Sequence, residues 1–104
     1  MAEPYSIEFS PEAEIHLRTL TARQQQIVLN AIVEQLTYQP TVETKNRKKM
    51  RSNPLASWEL RVSKLRVYYD IEEAAEQSLL LVAIRAVGVK ERNQVFIGGA
   101  EIEL

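Results

Sequence analysis

The chain of 104 residues contains no cysteine, one histidine, one tryptophan and only three glycines. Without cysteine there is no disulfide framework, no thiolate-ligated zinc and no thiol nucleophile, and a cytoplasmic location is permitted. The three glycines, Gly88, Gly98 and Gly99, match no nucleotide-binding fingerprint. His16 has no carboxylate pair at ligand spacing around it, so it reads as a partly buried structural side chain, and neither a metal nor a cofactor is expected. The longest apolar run, Leu79–Ile84, is far too short to span a bilayer. Met1-Ala2-Glu3-Pro4 lacks the basic and apolar blocks of a signal peptide, so the expectation is a soluble, unexported, cytoplasmic protein with no membrane partner. One domain over 1–104 is expected, large enough to fold without staples.

Positive and negative charge nearly cancel, with 13 Lys and Arg against 14 Asp and Glu, but their distribution is uneven. Lys45, Arg47, Lys48, Lys49, Arg51, Arg61, Lys64 and Arg66 lie in one stretch that holds a single acid, Glu59. Such a block is either a solvated basic loop or a patch for a polyanion.

Tyr5–Phe9 alternates and reads as a strand. Ser10-Pro11 is a helix start, with Glu12 and Glu14 in the first turn, where the helix dipole favours anions. Thr21 followed by Gln24 forms a capping box for a second helix, whose apolar face is Ile27, Val28, Ala31, Ile32 and Leu36. Thr41–Pro54 has no periodicity and reads as loop. Trp58–Val62 and Leu65–Ile71 alternate on either side of Ser63-Lys64, which predicts a hairpin pairing Val62 with Leu65, Arg61 with Arg66, Leu60 with Val67, Glu59 with Tyr68 and Trp58 with Tyr69. Leu79–Ile84 reads as a central strand ended by Gly88, and Val89–Ile97 as a short helix or an extended tail. The expected fold is α+β: an N-terminal strand and a two-helix hairpin on a mostly antiparallel four-stranded sheet, with a short C-terminal element. Glu59, Arg61, Arg66, Tyr68 and Asp70 are expected on the open face that the helices leave uncovered.

Facing arginines destabilise a sheet, but two guanidiniums on one face suit a phosphate, which accepts their donors in pairs. RNA supplies its own nucleophile, the 2′-hydroxyl, so a metal-free site need only align the strand, move protons and hold the charge that grows on phosphorus. Lys48, Lys49, Lys90 and Glu59 are the candidate proton carriers.

Lys49-Met50-Arg51, Trp58–Val62, Leu65–Tyr69 and the run Ala86–Phe96 together resemble the RelE/ParE superfamily of bacterial and archaeal type II toxins, over most of the chain. The resemblance implies a toxin held inactive by a cognate antitoxin. Its RelE branch cleaves mRNA in the ribosomal A site; its ParE branch poisons DNA gyrase, and a non-cleaving relic that binds antitoxin or RNA is a further alternative. Arg66 matches the arginine that contacts the scissile phosphate. Glu59 replaces the first member of the basic pair that alternates along this strand, and Arg61 keeps the second. Lys90 stands where an arginine is common, Arg92 matches the next one, and Phe96 replaces the terminal tyrosine that stacks on a base. Arg61, Arg66, Lys90 and Arg92 are thus the expected catalytic residues. The expected contacts to RNA are Lys45, Arg47, Lys48, Lys49, Arg51, Lys64 and Phe96, on an mRNA held by the ribosome.

Overall fold

The computed structural model describes residues 3–102. Strand β1 (Ser6–Phe9) leads into α1 (Pro11–Arg18), where the Ser10 hydroxyl accepts the Ala13 amide and Pro11 opens the first turn. Thr21 and Gln24 close their reciprocal capping box at the start of α2 (Ala22–Leu36). Val28, Ile32 and Leu36 recur at helical spacing and are fully buried, and each such side chain withdrawn from water contributes about 1.5–3 kcal/mol.

The remaining strands are β2 (Arg47–Lys49), β3 (Trp58–Val62), β4 (Leu65–Ala74), β5 (Leu79–Glu91), β6 (Gln94–Ile97) and β7 (Ala100–Ile102). They pair antiparallel in the order β2-β3-β4-β5-β6-β7. Against β5, β1 runs parallel beside Leu81–Ile84, and further along β6 pairs with Gly88–Glu91. The class is α+β as expected, but among the described residues the sheet has seven strands rather than four. Among the described residues, no helix is long and apolar enough to cross a membrane.

Three departures from the sequence reading account for β2 and β6, and the third added strand, β7, pairs with β6 where a short C-terminal element was expected. Residues 47–49, inside the expected loop, form an edge strand too short to show a period. Gly88 does not end β5, because it pairs with both Arg66 and Ile97 inside the sheet. Nor is Val89–Ile97 a helix or a tail: β5 runs on to Glu91, turns at Arg92-Asn93 with positive φ at both, and returns as β6.

The β3–β4 register has all five expected pairs. Ser63 turns the chain with φ 57°. In β4–β5 the register slips, Tyr68 facing Ala86 while Tyr69 faces Ile84, so Arg85 is an extra residue in a bulge. The slip moves the helix-facing set from Val82 and Ile84 to Val87 and Val89, which is why β5 showed no alternation.

Trp58, Leu60, Leu65, Val67 and Tyr69 join Val28, Ile32 and Leu36 in the main core, with Val62 and Ile71 packed against it, as the alternation predicted. Tyr69 stacks on Trp58, centroids 6.1 Å apart, and donates its hydroxyl to the Pro40 carbonyl at 2.6 Å. The other face is not fully open. A second apolar cluster of Ala56, Tyr68, Ala86 and Ile97, flanked by Met50, Leu55, Val95 and Ile102, buries Tyr68 completely.

Candidate functional site

Side chains on the face away from the helices fall into cross-strand rows. Lys48, Glu59, Tyr68 and Ala86 form one; Arg61, Arg66, Gly88 and Ile97 form the next; Lys90, Val95 and Ile102 a third. Above them lies an open groove of about 960 Å³ whose lining includes Lys48, Arg51, Glu59, Arg61, Arg66 and Lys90. Met50, Val95 and Ile102, which pack against the second apolar cluster, line it as well, and charges held over apolar, poorly polarisable material interact more strongly with a ligand than they would in bulk water.

Arg66 is buried to 8% exposure, and its Nη1 donates to the carbonyls of Ser63 at 2.7 Å and Leu65 at 2.8 Å. Those bonds fix the plane of the guanidinium. Among the described residues its Nε and Nη2 make no hydrogen bond, which leaves one edge for an anion. Arg61 is held by Glu59, Nε donating to Oε1 at 2.7 Å, and among the described residues neither of its Nη groups makes a hydrogen bond. Arg61 and Arg66 therefore share one face and one groove, as predicted.

The loop that carries Arg51 is fixed by Asn53. Its Oδ1 accepts the amides of Leu55 and Ala56, and its Nδ2 donates to the carbonyls of Arg51 and Ala56. The Asn53-Pro54 pair is the turn signal for this loop in the sequence.

Several expected contacts lie elsewhere. Arg47 is buried at 6% exposure on the helical face, donating to the Gln35 carbonyl and side chain and to the Val42 carbonyl; it closes the end of α2 and does not line the groove. Lys49 borders the groove, but its ammonium lies 6.0 Å from the ring centre of Trp58 on the helical face. Lys45 and Lys64 are exposed outside the lining, Lys64 in the β3–β4 turn, where its carbonyl accepts the Lys90 amide. Arg92 sits in the β5–β6 turn and does not line the groove. Phe96 is on the wrong side of the sheet: it belongs to the row of Leu65, Val89 and Glu101 and lines a separate pocket of about 250 Å³ with Thr19, Leu20 and Gln24.

Tyr68 was expected at the surface and is the residue whose place matters most. Its hydroxyl is buried and, among the described residues, has no hydrogen-bond partner of good geometry. Burial pushes its pKa well above the usual tyrosine range, Glu59 beside it adds to the effect, and Arg66 and Arg61 oppose it. Period-two alternation placed Tyr68 on the correct face; the cover over that face comes from β6, β7 and the Asn53 loop, which local pattern does not announce.

No family model matches the chain, and no curated protein matches it. Among solved structures, a chain in the crystal structure of the toxin–antitoxin complex RelBE2 from Mycobacterium tuberculosis is similar, with a TM-score of 0.69 and 23% identity, over 85% of this chain and 93% of that one. The similarity shows that the two chains share a fold.

Proposed function

We propose that the protein is the toxin of a type II toxin–antitoxin pair and acts as a metal-free, ribosome-dependent mRNA endoribonuclease, its single domain neutralised by a cognate antitoxin in the cytoplasm. The observation that carries this reading is the pairing of Arg61 with Arg66 across the β3–β4 hairpin in one basic groove, each with unused donors. A phosphodiester offers two acceptors to such a pair, and the charge that builds up on its oxygens during attack by the 2′-hydroxyl is held there. Lys48, Arg51 and Lys90 extend the positive lining along the path of a strand. The fold shared with a chain of a toxin–antitoxin complex supports the partner assignment.

Induced expression tests the reading. Growth arrest with new mRNA 5′ ends at translated codons is expected, Arg61→Ala should relieve it in a folded protein, and co-expression of a short acidic antitoxin encoded alongside should restore growth. Arrest without new 5′ ends favours the second reading, a non-cleaving binder such as a gyrase poison. One observation supports that alternative: Phe96 points away from the groove, so no aromatic ring from β6 stacks on a base there.

A further inference from the structure

Transesterification requires a group that takes the proton of the 2′-hydroxyl. Arginine and lysine side chains accept a proton only after losing one, whereas a carboxylate accepts at once. Among the described residues two acidic ones line the groove, Glu59 and Glu101. Glu101 pairs with Phe96, so its side chain belongs to the helical face, and Glu59 is the carboxylate that stands among the groove cations. Its side chain is only 12% exposed, and one oxygen is tied by the Arg61 Nε at 2.7 Å. Beside it in the same cross-strand row lies Tyr68, whose hydroxyl has no partner among the described residues. Leaving a buried hydroxyl unsatisfied costs about 1–3 kcal/mol, and a phenylalanine at this place would avoid that cost. A carboxylate that must keep one orientation while it gains and loses a proton gives the hydroxyl a use, since such bonds are often long in the empty site and tighten with substrate bound.

We propose that Glu59 is the proton acceptor of this site, and that Arg61 and Tyr68 are positioning residues that aim its carboxylate; the inference rests on the endoribonuclease reading above. The 2′-O–H bond breaks, its proton passes to the free Oε2 of Glu59, and its electron pair forms the bond to the adjacent phosphorus. The bond from phosphorus to the 5′-oxygen breaks with its electron pair on that oxygen, which takes a proton from water. A 2′,3′-cyclic phosphate and a 5′-hydroxyl result, and Glu59 returns its proton to solvent. Arg66 and the Nη groups of Arg61 hold the phosphate throughout.

The experiment is single-turnover cleavage of a short mRNA on programmed ribosomes, with affinity for those ribosomes measured in parallel. Glu59→Gln should bind as tightly as the parent or more tightly and cleave at least about 100-fold more slowly, the scale of general-base catalysis. Glu59→Asp, which keeps the charge on a shorter arm, should retain part of the rate and decides the matter if the glutamine variant does not fold. Tyr68→Phe should unfold at the same temperature or higher yet cleave more slowly, with the acid limb of its pH–rate profile moved upward. A purely structural tyrosine would not move that limb. The groups facing Glu59 that also shape it are Lys48 on β2, Arg61 on β3 and Arg66 on β4, with Lys90 on β5, and all are unchanged in this variant. Glu59→Gln cleaving at the parental rate overturns the proposal. Tighter binding with faster cleavage does so too, and would make Glu59 a phosphate mimic that occupies Arg61. A parent that cleaves nothing brings down the endoribonuclease reading itself, and the inference with it.

Discussion

Gly88 offers a direct test of how β5 and β6 enclose the groove. A Cβ built on it would stand 2.6 Å from the Phe96 carbonyl oxygen and 2.9 Å from Cγ1 of Ile97. Real side chains do not approach backbone oxygens so closely, so Gly88→Ala must push the strands apart where Gly88 pairs with Ile97. Overpacking of this kind costs about 1–3 kcal/mol. For a domain near this size the loss lowers the unfolding midpoint by roughly 4–8 °C per kcal/mol and the urea midpoint by about 1 M or less per kcal/mol. Because the nearest atom is main chain, truncating Ile97 in the same background should not restore stability. The displaced strand carries Gln94 and Val95 on the groove wall, so binding of a phosphate-bearing strand should weaken as well. An alanine variant that melts with the parent would show that β5 and β6 do not meet this closely, and the enclosure of the groove from that side would fall with it.

Arg47→Met should destabilise the fold by about 1.5–3 kcal/mol, the worth of hydrogen bonds to a charged group, and leave the salt dependence of RNA binding unchanged, whereas Lys48→Ala should barely alter stability and reduce the logarithmic salt slope by about 0.7, both read by denaturation and by binding titrations. Tyr69→Phe removes the bond to Pro40 and should cost about 1 kcal/mol in a urea titration. His16 accepts the Val87 amide at Nδ1, and burial lowers its pKa from 6.5 despite an opposing pull from Glu12, so the folded state favours the neutral ring. Its contribution is complete above pH 6.5 and is lost as pH falls toward the lower folded value; His16→Gln should flatten the stability curve below pH 6.5, and an unchanged acid limb would contradict the assignment.

What the sequence made legible was decided by short-range chemistry. Ser10-Pro11 and the Thr21–Gln24 box act within a single turn, and both helices begin where they place them. Strict alternation about Ser63-Lys64 made the Arg61–Arg66 pairing a matter of counting, because a hairpin with two turn residues leaves no freedom of register once one face is buried. Features that depend on distant strands were not legible. β5 hides its period behind the Arg85 bulge, and Gly88, read as a strand end, is small because β6 crowds it. Arg47 looks like its basic neighbours in the sequence, yet strand pairing turns it beneath α2 while Lys48 faces the groove. Phe96 was matched to a stacking position by its distance along the chain, and the parity of β6 sends it to the other side.

Tyr68 and Tyr69 are adjacent and equally buried, and the contrast between them locates where the fold departs from what stability alone would select. Tyr69, on the helical side, stacks on Trp58 and delivers its hydroxyl to Pro40. Tyr68, on the groove side, has no partner for its hydroxyl among the described residues. In the neighbouring row, Arg61 faces Arg66, a like-charge pairing that costs up to about 1 kcal/mol in a sheet. Arg47, a buried cation on the helical side, has its Nε and Nη1 donors satisfied by three oxygens. The unfavourable terms therefore gather on one patch of two adjacent cross-strand rows, while on the opposite face Tyr69 and Arg47 both find oxygen partners. Both terms have the same remedy, an anion with several acceptor oxygens placed over the rows, which would neutralise the facing guanidiniums and draw the Glu59 and Tyr68 side chains into order. A hairpin that is strained where it is basic and satisfied where it is buried is organised around a ligand rather than around its own core.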